Sequence, residues 1–340
     1  MILNSYIMAY FVCMAMSCFT GLIAAFNGFP LWKNWNIKSD AEAQYSLEKK
    51  VYLIITVLFL AFSLRILMFP LWFFTLHTMI PSVPGAMCLV GVHNINPSVS
   101  YVASALKLIT PVFYAYWLIL NMLDRKIETQ PFMKQKLWLL TPLGILILIE
   151  SILDTSFFFS VAPRQVSCCT SLFDVPRDDI LQVVTESSWL WVVVFYGLSI
   201  VFSVEAAYFF TAQKKSIHRE NGWWFGKKTV MFIQTFFIIL IFITFILSLH
   251  TKISPLFLGL PFHHCIFCLC QEVWDALCSF FMIFIGLSLF LIYFWTVSSA
   301  DYMPLNQRCG IFMKNLLKWA CCLFFSGLII LTIHLFLVLF

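Results

Sequence analysis

Eight stretches of this chain are each long and apolar enough to cross a lipid bilayer, and no connection between them exceeds about 30 residues. A crossing takes ~20 apolar residues, because the hydrocarbon core is ~30 Å thick and a helix rises ~1.5 Å per residue. The runs cover about 5–26, 51–76, 101–123, 137–162, 189–212, 229–249, 276–297 and 318–340. Backbone polar groups find no water in hydrocarbon, so each run must be a helix or a strand of a closed barrel. Period-two alternation is missing, which excludes barrel strands. The expectation is an all-α integral membrane protein, a single polytopic domain of about eight spans over 1–340. Composition agrees: 11% of the residues are charged, against ~25% in a soluble domain. The runs 51–76 and 137–162 are longer than a crossing needs, which implies tilt or helix continuing into the interface. MILNSYIMAY has neither a basic n-region nor a small-residue cleavage site, so it reads as the start of the first span.

The cationic residues choose an orientation. Lys33, Lys38, Lys49 and Lys50 fall in one loop, and Arg125, Lys126, Lys134 and Lys136 two loops on. Lys214, Lys215, Arg219, Lys227 and Lys228 follow, then Arg308, Lys314 and Lys318. These alternate loops hold 16 of the 21 Lys and Arg residues. The positive-inside rule makes them cytoplasmic, which puts both termini outside the cytoplasm; if the cell is bacterial, the membrane is the inner one. Tryptophans flank the runs on both sides as an aromatic belt. The lipid bilayer is thus the main partner. No basic tract suits nucleic acid, and no nucleotide, zincin or EF-hand motif is present.

The intervening loops, about 77–100, 163–188 and 250–275, hold six of the 12 cysteines and five of the 7 histidines. They are about 22% of the chain, so random placement would leave two or three cysteines there. Cys88 follows a Pro-Gly turn (PSVPGAMC), Cys168 and Cys169 are adjacent, and Cys265, Cys268 and Cys270 lie in PFHHCIFCLC. We expect a small extracytoplasmic cap that gathers these thiols with His263 and His264. Three readings follow. Structural disulfides stapling the loops are one, as in a non-catalytic membrane subunit. Thiol–disulfide exchange or electron transfer is the second: Cys265-x-x-Cys268 has the spacing in which one thiol attacks and the other resolves, here Cys265 attacking and Cys268 resolving, with His263 and His264 beside it. Cys168–Cys169 would be a second dithiol, since a bond between neighbours closes a strained ring and is easily reduced. Cys88 would partner either group. The third is a soft metal ion held by Cys265, Cys268, Cys270, His263 and His264.

An outward C-x-x-C at Cys265 and Cys268 on a membrane bundle resembles the quinone-linked disulfide-forming membrane proteins. The resemblance implies a thiol–disulfide oxidoreductase with a membrane quinone as electron acceptor and an extracytoplasmic thiol protein or further membrane subunits as partners. Those proteins are four-span bundles with another cysteine layout, so no residue roles carry over.

Charges inside the spans are costly and face the bundle interior. Arg65 and Glu150 fall at similar depth near the midplane, and Lys107 and Asp154 in the outer third. Glu150 and Asp154, four apart, share one helical face. Two interhelical pairs are expected, Arg65–Glu150 and Lys107–Asp154, fixing helix register or carrying protons toward the outer site.

Overall fold

The computed structural model describes residues 5–35, 42–127, 130–160, 165–167, 188–216, 227–261, 263–299 and 307–340. Among the described residues there is no β-strand, and eight helices are long and apolar enough to cross a membrane. They are α1 (Ser5–Asn34), α2 (Glu42–Met79), α4 (Pro97–Asp124), α5 (Met133–Ser160), α6 (Ser188–Ser216), α7 (Lys227–Ser248), α10 (Trp274–Ser299) and α11 (Gln307–Leu339). Three short helices lie in the connections: α3 (Leu89–His93), α8 (Ser254–Leu258) and α9 (Ile266–Glu272). The chain is therefore an all-α, multi-pass integral membrane protein. Several helices outrun the apolar windows that define them. α1 continues through Pro30 to Asn34, and α2 begins at Glu42, well before the first apolar residue of its run.

The chain divides into two compact units, Met1–Cys168 with Leu305–Phe312, and Cys169–Pro304 with Met313–Phe340. The first is built on α1, α2, α4 and α5. Its closest packing is α1 on α5, because glycine lets the backbones touch. A Cβ on Gly144 would lie 2.5 Å from the Ala25 amide nitrogen, and one on Gly28 2.7 Å from the Thr141 nitrogen. Between helices in lipid the hydrophobic effect gives little attraction, so such close van der Waals contact supplies much of the association.

The apolar interior of this unit forms two layers. One contains Ala24, Leu58, Phe62, Trp117, Leu137 and Ile147, and the other Tyr10, Met14, Met68, Trp72, Ala103 and Phe157. Along every one of the four helices, a gap separates the fully buried residues of the first layer from those of the second, with the half-buried Ile66 and Leu153 reaching into it. Arg65, Lys107, Glu150 and Asp154 fall in that gap. The charges therefore form a sheet of their own between two dry layers, where their mutual attraction is little screened.

In the second unit, α6, α7, α10 and α11 pack through aromatic rings. Phe195 meets Phe245 at 5.1 Å between centroids, and Phe202 meets Phe290 at 4.9 Å. After Ser248 the α7 helix widens into a π-turn, Leu249–Ile253, before α8. Gly259, in the left-handed region at φ 65°, ends α8 and turns the chain back toward His263.

Candidate functional site

In the first unit the turn after α2 sets the position of Cys88. Gly85 takes φ 86°, and a Cβ there would sit 2.6 Å from the Val166 carbonyl oxygen, so the turn requires glycine twice over. Cys88 then caps α3 in an extended conformation and is 1% exposed. The apolar segment expected after this turn is α3, which buries Val90, Gly91, Val92 and His93. Burial pushes the His93 imidazole down to about 4, while the nearby Cys88 sulfur works the other way. His93 is therefore neutral at physiological pH.

The strand of chain leading to the second cysteine group is tied to this same turn. The Val166 amide donates to the Pro84 carbonyl at 3.1 Å, and Asn94 Nδ2 donates to the Ser167 carbonyl at 2.7 Å. The adjacent thiols Cys168 and Cys169 themselves lie outside the described residues.

In the second unit the C-x-x-C is wound onto the start of α9. Cys265 is the N-cap, and the Cys268 amide, at the third helical position, donates to the Cys265 sulfur at 3.4 Å. The two sulfurs lie within 4.8 Å of each other. Cys265 is buried and Cys268 half-buried. This spacing follows from helix geometry, which puts an N-cap side chain over the third residue of the first turn. Among the described residues no disulfide joins two cysteines.

The segment before Cys265 is strapped to the π-turn. Ser254 Oγ donates to the Cys265 carbonyl at 3.0 Å. His250 Nδ1 lies 2.6 Å from the His264 carbonyl oxygen, and His264 Nδ1 lies 3.0 Å from the His250 carbonyl oxygen. The sequence reading left His250 out of the site, and the structure sets it against His264. A wider turn shifts the register that helical spacing would assign, so no pattern in the sequence marks it.

His263, His264 and Cys270 do not complete a three-ligand set with the Cys265 and Cys268 sulfurs among the described residues. Burial also pushes the Cys270 thiol up to about 12, which keeps it protonated at neutral pH and makes it a poor nucleophile.

The four intramembrane charges of the first unit come together. Arg65 Nη1 donates to Glu150 Oε2 at 3.2 Å, and Arg65 Nη2 reaches Ser151 Oγ and the Ile147 carbonyl. Lys107 Nζ lies 2.8 Å from Asp154 Oδ2 and 3.7 Å from Glu150 Oε2, so one ammonium serves both carboxylates. Two tyrosines that the sequence reading omitted complete the set. Tyr10 donates to Asp154 Oδ2 at 2.6 Å, and Tyr114 to Glu150 Oε1 at 3.4 Å. Nothing in local sequence pairs Tyr10 with a residue 144 positions away. The packing of α1 on α5 does.

No family model, curated protein or solved structure was found to match the chain.

Proposed function

We propose that this membrane protein carries out thiol–disulfide exchange through Cys265 and Cys268 on the extracytoplasmic face. The observation that carries the reading is the pair of sulfurs within 4.8 Å on one helical turn, linked by the Cys268 amide donating to the Cys265 sulfur. Two thiols so placed can form an intramolecular disulfide with little backbone movement. Accessibility assigns the first step to Cys268, reversing the order expected from spacing alone, because Cys265 is buried. In the oxidising direction, a thiolate of a partner protein attacks Cys268 of the Cys265–Cys268 disulfide and releases Cys265 as thiolate. A second partner thiolate then attacks the mixed disulfide at the partner's sulfur. The partner leaves with a new disulfide; Cys265 and Cys268 have gained two electrons as thiolates and take up the two protons that the partner's thiols released on ionising. Cys88 and the Cys168–Cys169 pair are further thiols on the same face in this reading, and a membrane quinone is the final electron acceptor.

Soft-metal binding is the second reading, favoured by the same sulfur separation, which suits two thiolates on one ion. Differential alkylation with mass spectrometry, with and without reductant, together with metal analysis of the purified protein, separates the two. A Cys265–Cys268 disulfide that appears and disappears with mild reductant supports exchange. A stoichiometric metal that blocks alkylation of both supports the second reading, and disulfides that resist reduction at every site contradict both.

A further inference from the structure

Asp154 is 0% exposed, yet it is used on one side only. The Tyr10 hydroxyl and the Lys107 ammonium both bond to Oδ2, while Oδ1 is buried with no hydrogen-bond partner among the described residues. A charge pair kept only to fix helix register would satisfy both oxygens, because a buried unpaired acceptor costs free energy with no return. Glu150 differs: Oε1 takes Tyr114, and Oε2 takes Arg65 with Lys107 3.7 Å away. The two carboxylates sit on one face of α5, Asp154 six residues from its end at Ser160 and Glu150 one turn deeper. At ~1.5 Å per residue their depths differ by ~6 Å.

We propose that Asp154 is an intramembrane proton-binding site, filled at Oδ1, and that Lys107 is the element that responds by moving from Asp154 toward Glu150. This goes beyond thiol exchange and does not depend on it. A hydronium ion delivers its proton to Oδ1 and leaves as water, and the carboxylate becomes a carboxylic acid. The charge of the group Arg65, Lys107, Glu150 and Asp154 rises from zero to plus one. Lys107 then faces a neutral partner at Asp154 and an anion at Glu150, already its second neighbour, so the balance of attraction reverses. Every group around the site constrains this. Tyr10 faces it from α1, Arg65 and Trp72 from α2, Tyr114 and Lys107 itself from α4, and Glu150 and Ser151 from α5. The Lys107 ammonium lies 5.2 Å from the Trp72 ring and 5.9 Å from the Tyr10 ring, two neighbouring rings of one apolar layer, so aromatic faces flank it where it now stands beside Asp154. A buried acid that gains and loses a proton beside a movable cation is the unit from which proton-coupled membrane devices are made.

The test is difference infrared spectroscopy of the full-length protein in lipid nanodiscs, stepped from about pH 8 down to about pH 4. Water-exposed carboxyls also protonate toward pH 4, so the expected signal is a second carboxylic-acid band, shifted from theirs by the buried setting and equal to one group per chain, that grows as the pH falls. It is expected to vanish in Asp154→Asn. Should that variant fail to fold because Lys107 loses its nearest anion, Asp154→Asn/Lys107→Gln removes one charge of each sign. It also lacks the band while keeping its helical circular dichroism. Glu272→Gln, in the α9 connection, keeps it. A parent protein with no such band, or a band of full size in the double variant, overturns the proposal.

Discussion

Replacing Glu150 by Gln keeps the shape of the side chain and removes the anion that faces Arg65. Arg65 is 3% exposed and stays charged, because a guanidinium does not give up its proton in a protein. Breaking a buried pair by removing one partner costs about 3–5 kcal/mol, since the remaining charge is left uncompensated. The structure places the effect at the lower end. Arg65 keeps its bonds to Ser151 and to the Ile147 carbonyl at 3.3 Å, and Lys107 keeps Asp154 at 2.8 Å. We expect a loss of about 3 kcal/mol, a shift of about a hundredfold in the folding equilibrium. The complementary variant Arg65→Met/Glu150→Met fills the same space with apolar groups. It should unfold within about 1 kcal/mol of the parent or be more stable, as replaced buried pairs often are. Reversible unfolding in mixed lipid and sodium dodecyl sulfate micelles measures both. A Glu150→Gln variant within about 0.5 kcal/mol of the parent, the scale of an inert surface substitution, would refute the reasoning.

Gly144→Val should lower stability by about 1–3 kcal/mol, because its Cβ lands 2.5 Å from the Ala25 nitrogen, whereas Gly197→Ala, with nothing within 4 Å, should be neutral or slightly stabilising in the same assay. His93 is held down to about 4 from an ordinary 6.5, so the unfolded chain binds the proton first as pH falls. Its contribution is fully present above pH 6.5 and is lost progressively down to about pH 4, by about 3 kcal/mol in all; unfolding midpoints across that range should slope accordingly, and His93→Gln should flatten them. The Cys270 thiol, raised from 9.0 to about 12, carries about a thousandfold less thiolate than an ordinary cysteine at neutral pH, so maleimide should label Cys268 while leaving Cys270 intact by mass spectrometry.

The spans were legible because hydrocarbon leaves the backbone no choice: twenty apolar residues without alternation can only be a helix. Their ends were not. α1 continues past residue 26 through Gly28, Pro30 and Lys33, where small and polar residues lower the hydropathy and Pro30 drops one bond of the ladder without ending the helix. Depth counting along the runs was enough to align Arg65 with Glu150 and Lys107 with Asp154, since each helical residue advances by a fixed rise. That Lys107 also approaches Glu150, and that Tyr10 reaches Asp154, depends on which helices touch. That choice rests on Gly21, Gly28 and Gly144, whose missing side chains leave no mark in a hydropathy plot. The C-x-x-C at Cys265 and Cys268 was legible as a spacing, but its burial order was not. Which sulfur faces outward depends on the N-cap that starts α9 at Cys265 and not one residue earlier or later.

The central claim concerns two electrons on two sulfurs, and a redox titration of the full-length protein in nanodiscs measures them. The protein is equilibrated in glutathione or dithiothreitol buffers of graded potential, acid-quenched, alkylated and digested, and the Cys265–Cys268 peptide is read by mass. The account predicts a single two-electron transition with a midpoint between roughly −120 and −270 mV, the range of exchanging dithiols. Cys265→Ser and Cys268→Ser should each abolish it. A peptide that remains dithiol across the whole series, or a disulfide that persists below about −300 mV as a structural staple does, would contradict it.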